Sequence, residues 1–289
     1  MAENSKVAFI TGGTDGLGRA TALLLAQENF RVFATGRNPQ KISALNEEAR
    51  AKNLPLEALE MDVTDDASVD QALRAVREKA GAIEVLVNSA GVAIVAVMEE
   101  ITLADLRKQF ETNFFGVVRV TQRVLPEMRE RRSGRIINMS SVGGRMASPL
   151  FGPYSGSKFA LEGMSDAMRV ELAPFGVHVI LIEPGFIPSG MNAAAAELSS
   201  AYASRAATSP YKEIYGGFLK KWKKATKAPR YTPEDCARVI LRVVRAERPK
   251  ARYPVTLPAY AVGIMRRVLS DRMVDRMMLR SLGVKLPRK

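Results

Sequence analysis

Apolar residues follow two alternating rhythms over the first two-thirds of the chain. Short runs such as Lys6–Thr11 (KVAFIT), Phe30–Thr35 (FRVFAT) and Ile83–Val87 are almost wholly apolar and stop at glycine or polar residues. Runs of this kind read as strands buried on both faces. Between them the apolar positions fall three and four apart, in Arg19–Asn29, residues 39–53 and residues 65–80. These read as amphipathic helices; Val69, Leu73 and Val76 share one face. Leu56–Met61, Arg135–Met139 and Val177–Ile182 add three strands. Residues 102–131 add a long helix, and another runs from Tyr154 to about Ala173, before Pro174. Alternation of strand and helix through residues 6–183 predicts an α/β fold with a doubly wound, mainly parallel sheet.

The remainder reads differently. Residues 232–247 form a helical pattern capped by Thr232-Pro233-Glu234, and Arg252–Val255 is a short seventh strand. In Pro258–Lys289 apolar Ile264, Met265, Val268, Leu269, Met273, Val274, Met277 and Met278 interleave with Arg266, Arg267, Arg272, Arg276 and Arg280. That predicts an amphipathic helix with a basic polar face, suited to an anionic membrane surface or to a protein partner.

Charge sharpens this division. The chain carries 43 Lys/Arg and 30 Asp/Glu, a net +13. Residues 1–204 contribute −3 and residues 205–289 contribute +16. A tail of that sign could meet an anionic surface, an anionic ligand or nucleic acid, although no recognised nucleic-acid motif is present and no nucleic-acid partner is expected. The single cysteine, Cys236, rules out an intrachain disulfide and fits a reducing compartment. The N-terminus lacks the order of a secretory signal, and no apolar run reaches spanning length. A cytoplasmic protein, peripherally membrane-associated through its tail, is expected.

Chemistry gathers at the ends of the strands. Gly12, Gly16 and Gly18 follow the first strand and precede a helix, where backbone N–H groups can meet a pyrophosphate. The second strand ends at Gly36-Arg37-Asn38 without an acidic residue, which favours a 2′-phosphate over free ribose hydroxyls. The fourth runs into Asn88-Ser89-Ala90-Gly91, small enough for a ring to approach closely. The fifth delivers Ser140 and Ser141. Tyr154 and Lys158, one turn apart on a helix opened by Pro153, form a phenol beside an ammonium. A cation there lowers the phenol towards the range of general acid–base work. The only histidine, His178, lies inside a strand, so a histidine triad or metal site has little to build on.

Each of these signals is weak alone. Together, in this order over residues 6–190, they resemble the short-chain dehydrogenases/reductases: Thr11-Gly12-x-x-x-Gly16-x-Gly18, Asp62-Val63, Asn88-x-Ala90-Gly91, Asn113, Ser141, Tyr154-x-x-x-Lys158 and Pro184-Gly185. The resemblance implies a Rossmann-like sheet of order 3-2-1-4-5-6-7, a domain over residues 1–257 with a substrate lid at 190–230, and a C-terminal extension at 258–289. It implies Tyr154 as acid/base and Ser141 as orienter of the substrate oxygen. Lys158 lowers the Tyr154 pKa and binds the nicotinamide ribose, and Asn113 holds a relay water. It assigns Gly12, Thr14, Gly16, Leu17 and Gly18 to the cofactor's pyrophosphate side. Arg37, Asp62, Val63, Asn88, Ala90 and Gly91 fall on its adenosine side and along its length. Pro184, Gly185, Ile187 and Ser189 fall by its carboxamide, with Ser189 where the family usually has Thr. A basic residue inside the glycine loop, present in some NADP-binding members, is replaced by Asp15, which leaves Arg37 to carry the preference for NADP(H). The expected protein is a homo-oligomeric, NADP(H)-dependent oxidoreductase interconverting a carbonyl and an alcohol, reducing a lipophilic ketone of steroid, retinoid or 3-keto-lipid type. A small polar carbonyl, or a non-catalytic NADP sensor, are the alternatives.

Overall fold

The computed structural model describes residues 5–227 and 229–285. The chain begins β1 (Val7–Thr11), α1 (Gly16–Gln27), β2 (Arg31–Gly36), α2 (Pro39–Ala51), β3 (Leu56–Glu60), α3 (Asp66–Ala80) and β4 (Val85–Asn88). It continues with α4 (Leu103–Phe110), a π-helical turn at Glu111–Phe115, α5 (Gly116–Glu130), β5 (Gly134–Met139), α6 (Gly152–Leu172) and β6 (Val177–Glu183). Then follow α7 (Gly190–Leu198), α8 (Ser200–Arg205), α9 (Lys212–Lys227), α10 (Pro233–Arg245), β7 (Arg252–Pro254), α11 (Leu257–Val268) and α12 (Asp271–Leu282).

The sheet is parallel throughout, in the order β3-β2-β1-β4-β5-β6-β7. Its central strands are buried on both faces, as their unbroken apolar runs require. On one face α1, α2 and α10 cover Ile10, Val32, Ala34 and Val87 with Leu25, Leu45, Ile240 and Val243. On the other, α3 and α5 set Val69, Leu73, Val120 and Val124 against Phe9, Phe33, Leu86 and Ile136.

Local chemistry places the helix ends. Asp15, Asn38, Asp65 and Thr102 each accept a backbone N–H at the start of a helix. Thr232 and Asp235 form a reciprocal capping box at α10.

Register then brings the functional ends into line. Thr11 pairs with Asn88, and Asn88 with Asn138, at the last positions of β1 and β4 and near the end of β5. A polar rung, Asn88 Nδ2 to Asn138 Oδ1 at 2.9 Å and Asn138 Nδ2 to Ser165 Oγ at 2.9 Å, closes the apolar core there. Beyond it the strands open into a cleft.

Two expectations are corrected. The single helix over 102–131 is interrupted by the π turn, which carries Asn113. The amphipathic pattern of 258–289 is two helices, broken at Leu269 and Ser270 where the backbone of Leu269 turns extended.

Candidate active site

The cleft along the carboxyl edge of the sheet has a volume of about 920 Å³. The glycine loop after β1 forms its floor at one end, and Ser141, Tyr154 and Lys158 line the other. The loop is close-fitting. Gly12 has φ +64°, and a Cβ there would lie 2.8 Å from Ala90 Cα. A Cβ on Gly18 would lie 2.3 Å from the Gly12 carbonyl oxygen. Thr11 Oγ1 accepts from the N–H groups of both Ser89 and Ala90 at 3.1 Å, locking the two strand ends together. The result is a close-fitting cradle at the start of α1, with no room for a β-carbon at Gly12 or Gly18, where N–H groups and the helix dipole favour a phosphate.

The turn after β2 and the first turn of α2 supply two cations. Arg37 Nη1 lies 3.3 Å from Asp62 Oδ2, and Lys41 pairs with Asp15. Burial works against the Asp62 charge, but hydrogen bonds from Thr64 and the Arg37 guanidinium hold its carboxyl below the usual range. Thus two residues assigned to the cofactor, Arg37 and Asp62, engage each other.

At the other end α6 presents Tyr154 and Lys158 one turn apart, as the spacing predicted, with Pro153 in the first turn. Lys158 Nζ donates to the Met139 carbonyl at 2.7 Å and lies 5.7 Å from the Tyr154 ring centroid. Burial pushes the Lys158 amine down to about 8, partly opposed by the charge of Glu162. Burial pushes the Tyr154 phenol up, partly opposed by a hydrogen bond with Ser141. The expected lowering of the phenol by Lys158 is therefore not realised in this arrangement. Desolvation dominates, because the ammonium stands over the ring and gives its hydrogen bond to a carbonyl.

Two asparagines spend their side chains inside the protein. The Asn113 side chain is fully buried and consumed: Oδ1 accepts from Val92 N at 2.8 Å, while Nδ2 donates to Val92 O at 3.0 Å and Ser157 Oγ at 3.1 Å. Only its main chain is left to meet a water. Asn88 turns inward to Thr121 and Asn138, so its side chain ties β4 to its neighbours and does not line the cleft. The remaining assigned residues, Thr14, Gly16, Leu17, Val63, Ala90, Gly91, Pro184, Gly185, Ile187 and Ser189, all border the cleft.

The segment 190–230 forms α7, α8 and α9. Its tyrosines and its other aromatics divide the work. Tyr215 donates to Glu100 Oε2 at 2.6 Å, and Tyr211 bonds to Glu99, tying α9 to the loop before α4. Trp222 turns to the cleft, and Phe218 packs behind it against Leu150, Ala206 and Tyr215. Phe218 meets Phe151 at 5.5 Å, Trp222 meets Phe186 at 5.2 Å, and Phe151 lies 6.0 Å from Tyr154 between ring centroids. Sequence reasoning missed Phe151, Phe186 and Lys41. Phe151 sits three residues before Tyr154, and Lys41 is the first cation after Arg37, so proximity to the motifs was the available signal.

The comparisons agree with this geometry. A model of the short chain dehydrogenase family matches residues 6–199. The uncharacterized oxidoreductase YusZ of Bacillus subtilis is 37% identical over 255 residues, covering 87% of this chain and 89% of that protein. Human 17-beta-hydroxysteroid dehydrogenase type 1 is 35% identical over 256 residues, covering 86% and 77%. Actinorhodin polyketide ketoreductase, solved with NADPH, superposes with a TM-score of 0.74 at 28% identity, covering 87% of this chain and 95% of that one. A parallel sheet with a glycine cradle at its carboxyl edge and a Ser–Tyr–Lys set defines a nucleotide-dependent oxidoreductase. The chain belongs to the short-chain dehydrogenase/reductase family, whose members use nicotinamide cofactors. The cradle that added Cβ atoms at Gly12 and Gly18 would fill fits the pyrophosphate of such a cofactor.

Proposed function

We propose that the protein is an NADP(H)-dependent reductase of a lipophilic ketone. The observation that carries this reading is the aromatic group Phe151, Phe186 and Trp222, backed by Phe218, gathered at the Ser141–Tyr154–Lys158 end of one continuous cleft. Such a roof favours a flat apolar substrate and excludes water from the reacting carbonyl.

A nicotinamide nucleotide supplies the hydride. Gly12, Gly16 and Gly18 hold its pyrophosphate, and Pro184, Gly185 and Ser189 border its carboxamide. Arg37, aided by Lys41, takes the 2′-phosphate. Both now sit in exposed ion pairs with Asp62 and Asp15, which contribute about 0–1 kcal/mol and yield readily to a phosphate. Ser141 orients the carbonyl oxygen. Tyr154, held protonated by burial, gives its proton to that oxygen as the hydride arrives. Charged Lys158 stabilises the phenolate left behind, and the Asn113 main chain serves any relay water.

The same reading extends to partners. Phe115, Phe159 and Val170 are exposed on the π turn and α6, a face suited to a second copy. On α11, Leu257, Tyr260, Ile264 and Val268 form one exposed apolar stripe at helical spacing, beside Arg266 and Arg267. Contact with an anionic bilayer accounts for that combination. Among the described residues no helix is long and apolar enough to cross a membrane.

The test is NADPH and NADH oxidation over a panel of small ketones, sterol ketones, retinal and long-chain 3-keto lipids, with Tyr154→Phe as control. Turnover of the lipophilic members with NADPH, lowered about 10²–10⁴-fold in the control, supports the reading. Turnover confined to small polar carbonyls, or tight NADPH binding without turnover, overturns the substrate class or the reaction. Sedimentation with vesicles rich in phosphatidylserine, lost in Ile264→Asp/Val268→Asp, tests the bilayer contact.

A further inference from the structure

Behind the Tyr154–Lys158 pair lies a charged cluster, half-buried around two buried glutamates, that the reaction scheme leaves unused. On α6, Tyr154, Lys158 and Glu162 follow at intervals of four, so they form one stripe along the helix. Glu162 is 6% exposed. Its Oε1 accepts from Ser140, the residue before Ser141, and its Oε2 accepts from Arg252 Nε of β7 at 3.0 Å. Arg252 also donates to Asp166 at 2.7 Å and lies 3.3 Å from Glu183, which Arg145 reaches at 3.3 Å. Arg169 meets Asp166 from the solvent side.

Lys158 itself has no ion pair within 4.0 Å among the described residues; its hydrogen bond goes to the neutral Met139 carbonyl. An ammonium buried against a carbonyl alone is costly unless a counter-charge stands near. The charged or titratable groups around it are Tyr154, Glu162 and Asp166 on α6, Glu183 on β6, Arg252 on β7 and Arg145 after β5. Asp166 and Glu183 are each bound to two guanidiniums. Glu162 shares only Arg252, and its other oxygen meets a neutral hydroxyl.

We propose that Glu162 is a positioning residue that keeps Lys158 charged behind Tyr154, and so sets the alkaline limit of the reaction. This rests on the acid–base role of Tyr154 and Lys158. Burial pushes the Lys158 amine down to about 8, and the Glu162 charge is the opposing influence. An arginine in the cluster cannot shed its proton in its place.

The test uses the full chain labelled with ¹³Cε-lysine, the Lys158 signal being assigned from Lys158→Arg, and compares Glu162→Gln with Glu162→Asp. Gln can keep the contacts to Ser140 and Arg252 while losing the charge; Asp keeps the charge and loses packing. In Glu162→Gln the Lys158 midpoint falls by about one pH unit, as removal of a nearby opposite charge requires. In Glu162→Asp it stays near the parent value. The alkaline limb of kcat/KM follows the same order for any ketone that is turned over. Equal midpoints in the parent and Glu162→Gln, or equal midpoint shifts in the two variants, overturn the proposal. The titration needs no turnover, so a protein without reductase activity still answers the question about Glu162.

Discussion

Replacing Gly12 by Ala places one methyl group where two strand ends meet. The cost has two parts. At φ +64° a β-carbon costs about 1–2 kcal/mol in left-handed backbone. The methyl then lies 2.8 Å from Ala90 Cα and N, backbone atoms that cannot swing aside as a side chain does. Separating the loops strains the two 3.1 Å hydrogen bonds from Ser89 and Ala90 to Thr11 Oγ1, each contributing about 0.5–1.5 kcal/mol. The total is about 2–4 kcal/mol, a large share of a typical 5–15 kcal/mol stability but short of unfolding. At about 2–4 °C per kcal/mol, Tm falls by roughly 5–15 °C. NADPH affinity, read by fluorescence titration, weakens by about tenfold or more because the phosphate cradle is distorted. Gly163→Ala is the control: it lies inside α6 with nothing within 4 Å of an added Cβ, and should gain up to about 1 kcal/mol. If Gly12→Ala keeps the parental Tm and NADPH affinity, close approach of the two strand ends is not what forms the site.

Lys158→Met should be more stable than the parent at pH 7. The folded-state Lys158 pKa, about 8, is below its unfolded value, so its contribution is fully present above the unfolded value and lost as pH falls through 8. The gap, about 3 kcal/mol at pH 7 by linkage, should close as urea denaturation is repeated towards pH 10, while turnover is lost throughout. Trp222→Ala removes three aromatic contacts, to the cleft-lining Phe151 and Phe186 and to Phe218 behind them. It should raise KM for a lipophilic ketone about tenfold with NADPH affinity unchanged, as steady-state and binding measurements would show. Arg37→Ala should weaken NADPH by about 1.5–3 kcal/mol and leave NADH and Tm unchanged, since its present ion pair is exposed.

The sheet was legible because its strands are buried on both faces. Runs such as KVAFIT need no partner information to be recognised, and glycine or proline marks their ends. The Tyr154–Lys158 spacing was legible for a similar local reason, one helical turn. What was not legible depends on groups brought together from afar. Burial pushing the Tyr154 phenol up follows from what packs around it, Phe151 included, and not from Lys158 four residues away. Asn113 belonged to an uninterrupted helical pattern; only its bonds to Val92 and Ser157 reveal why a π turn sets it there. Asn88 stood in a motif, yet its side chain answers to Thr121 and Asn138 on other elements. The break at Leu269–Ser270 carries neither glycine nor proline, so the helical pattern seemed to run on.

α12 lies against α9 so closely that a Cβ on Gly217 would overlap the Leu282 carbonyl oxygen, and Lys221 Nζ donates to Ser281 Oγ at 2.8 Å. α9 therefore cannot tilt away from Phe151 without disturbing a segment more distant in sequence than α10, which itself stays clamped in the core. The two outer helices are packed as one unit on either side of α10 in sequence, so local opening of one entails the other. Any outward movement of α9 is then a problem of undocking α12 as well, a change at the margin of the fold that leaves the carboxyl edge of the sheet fixed.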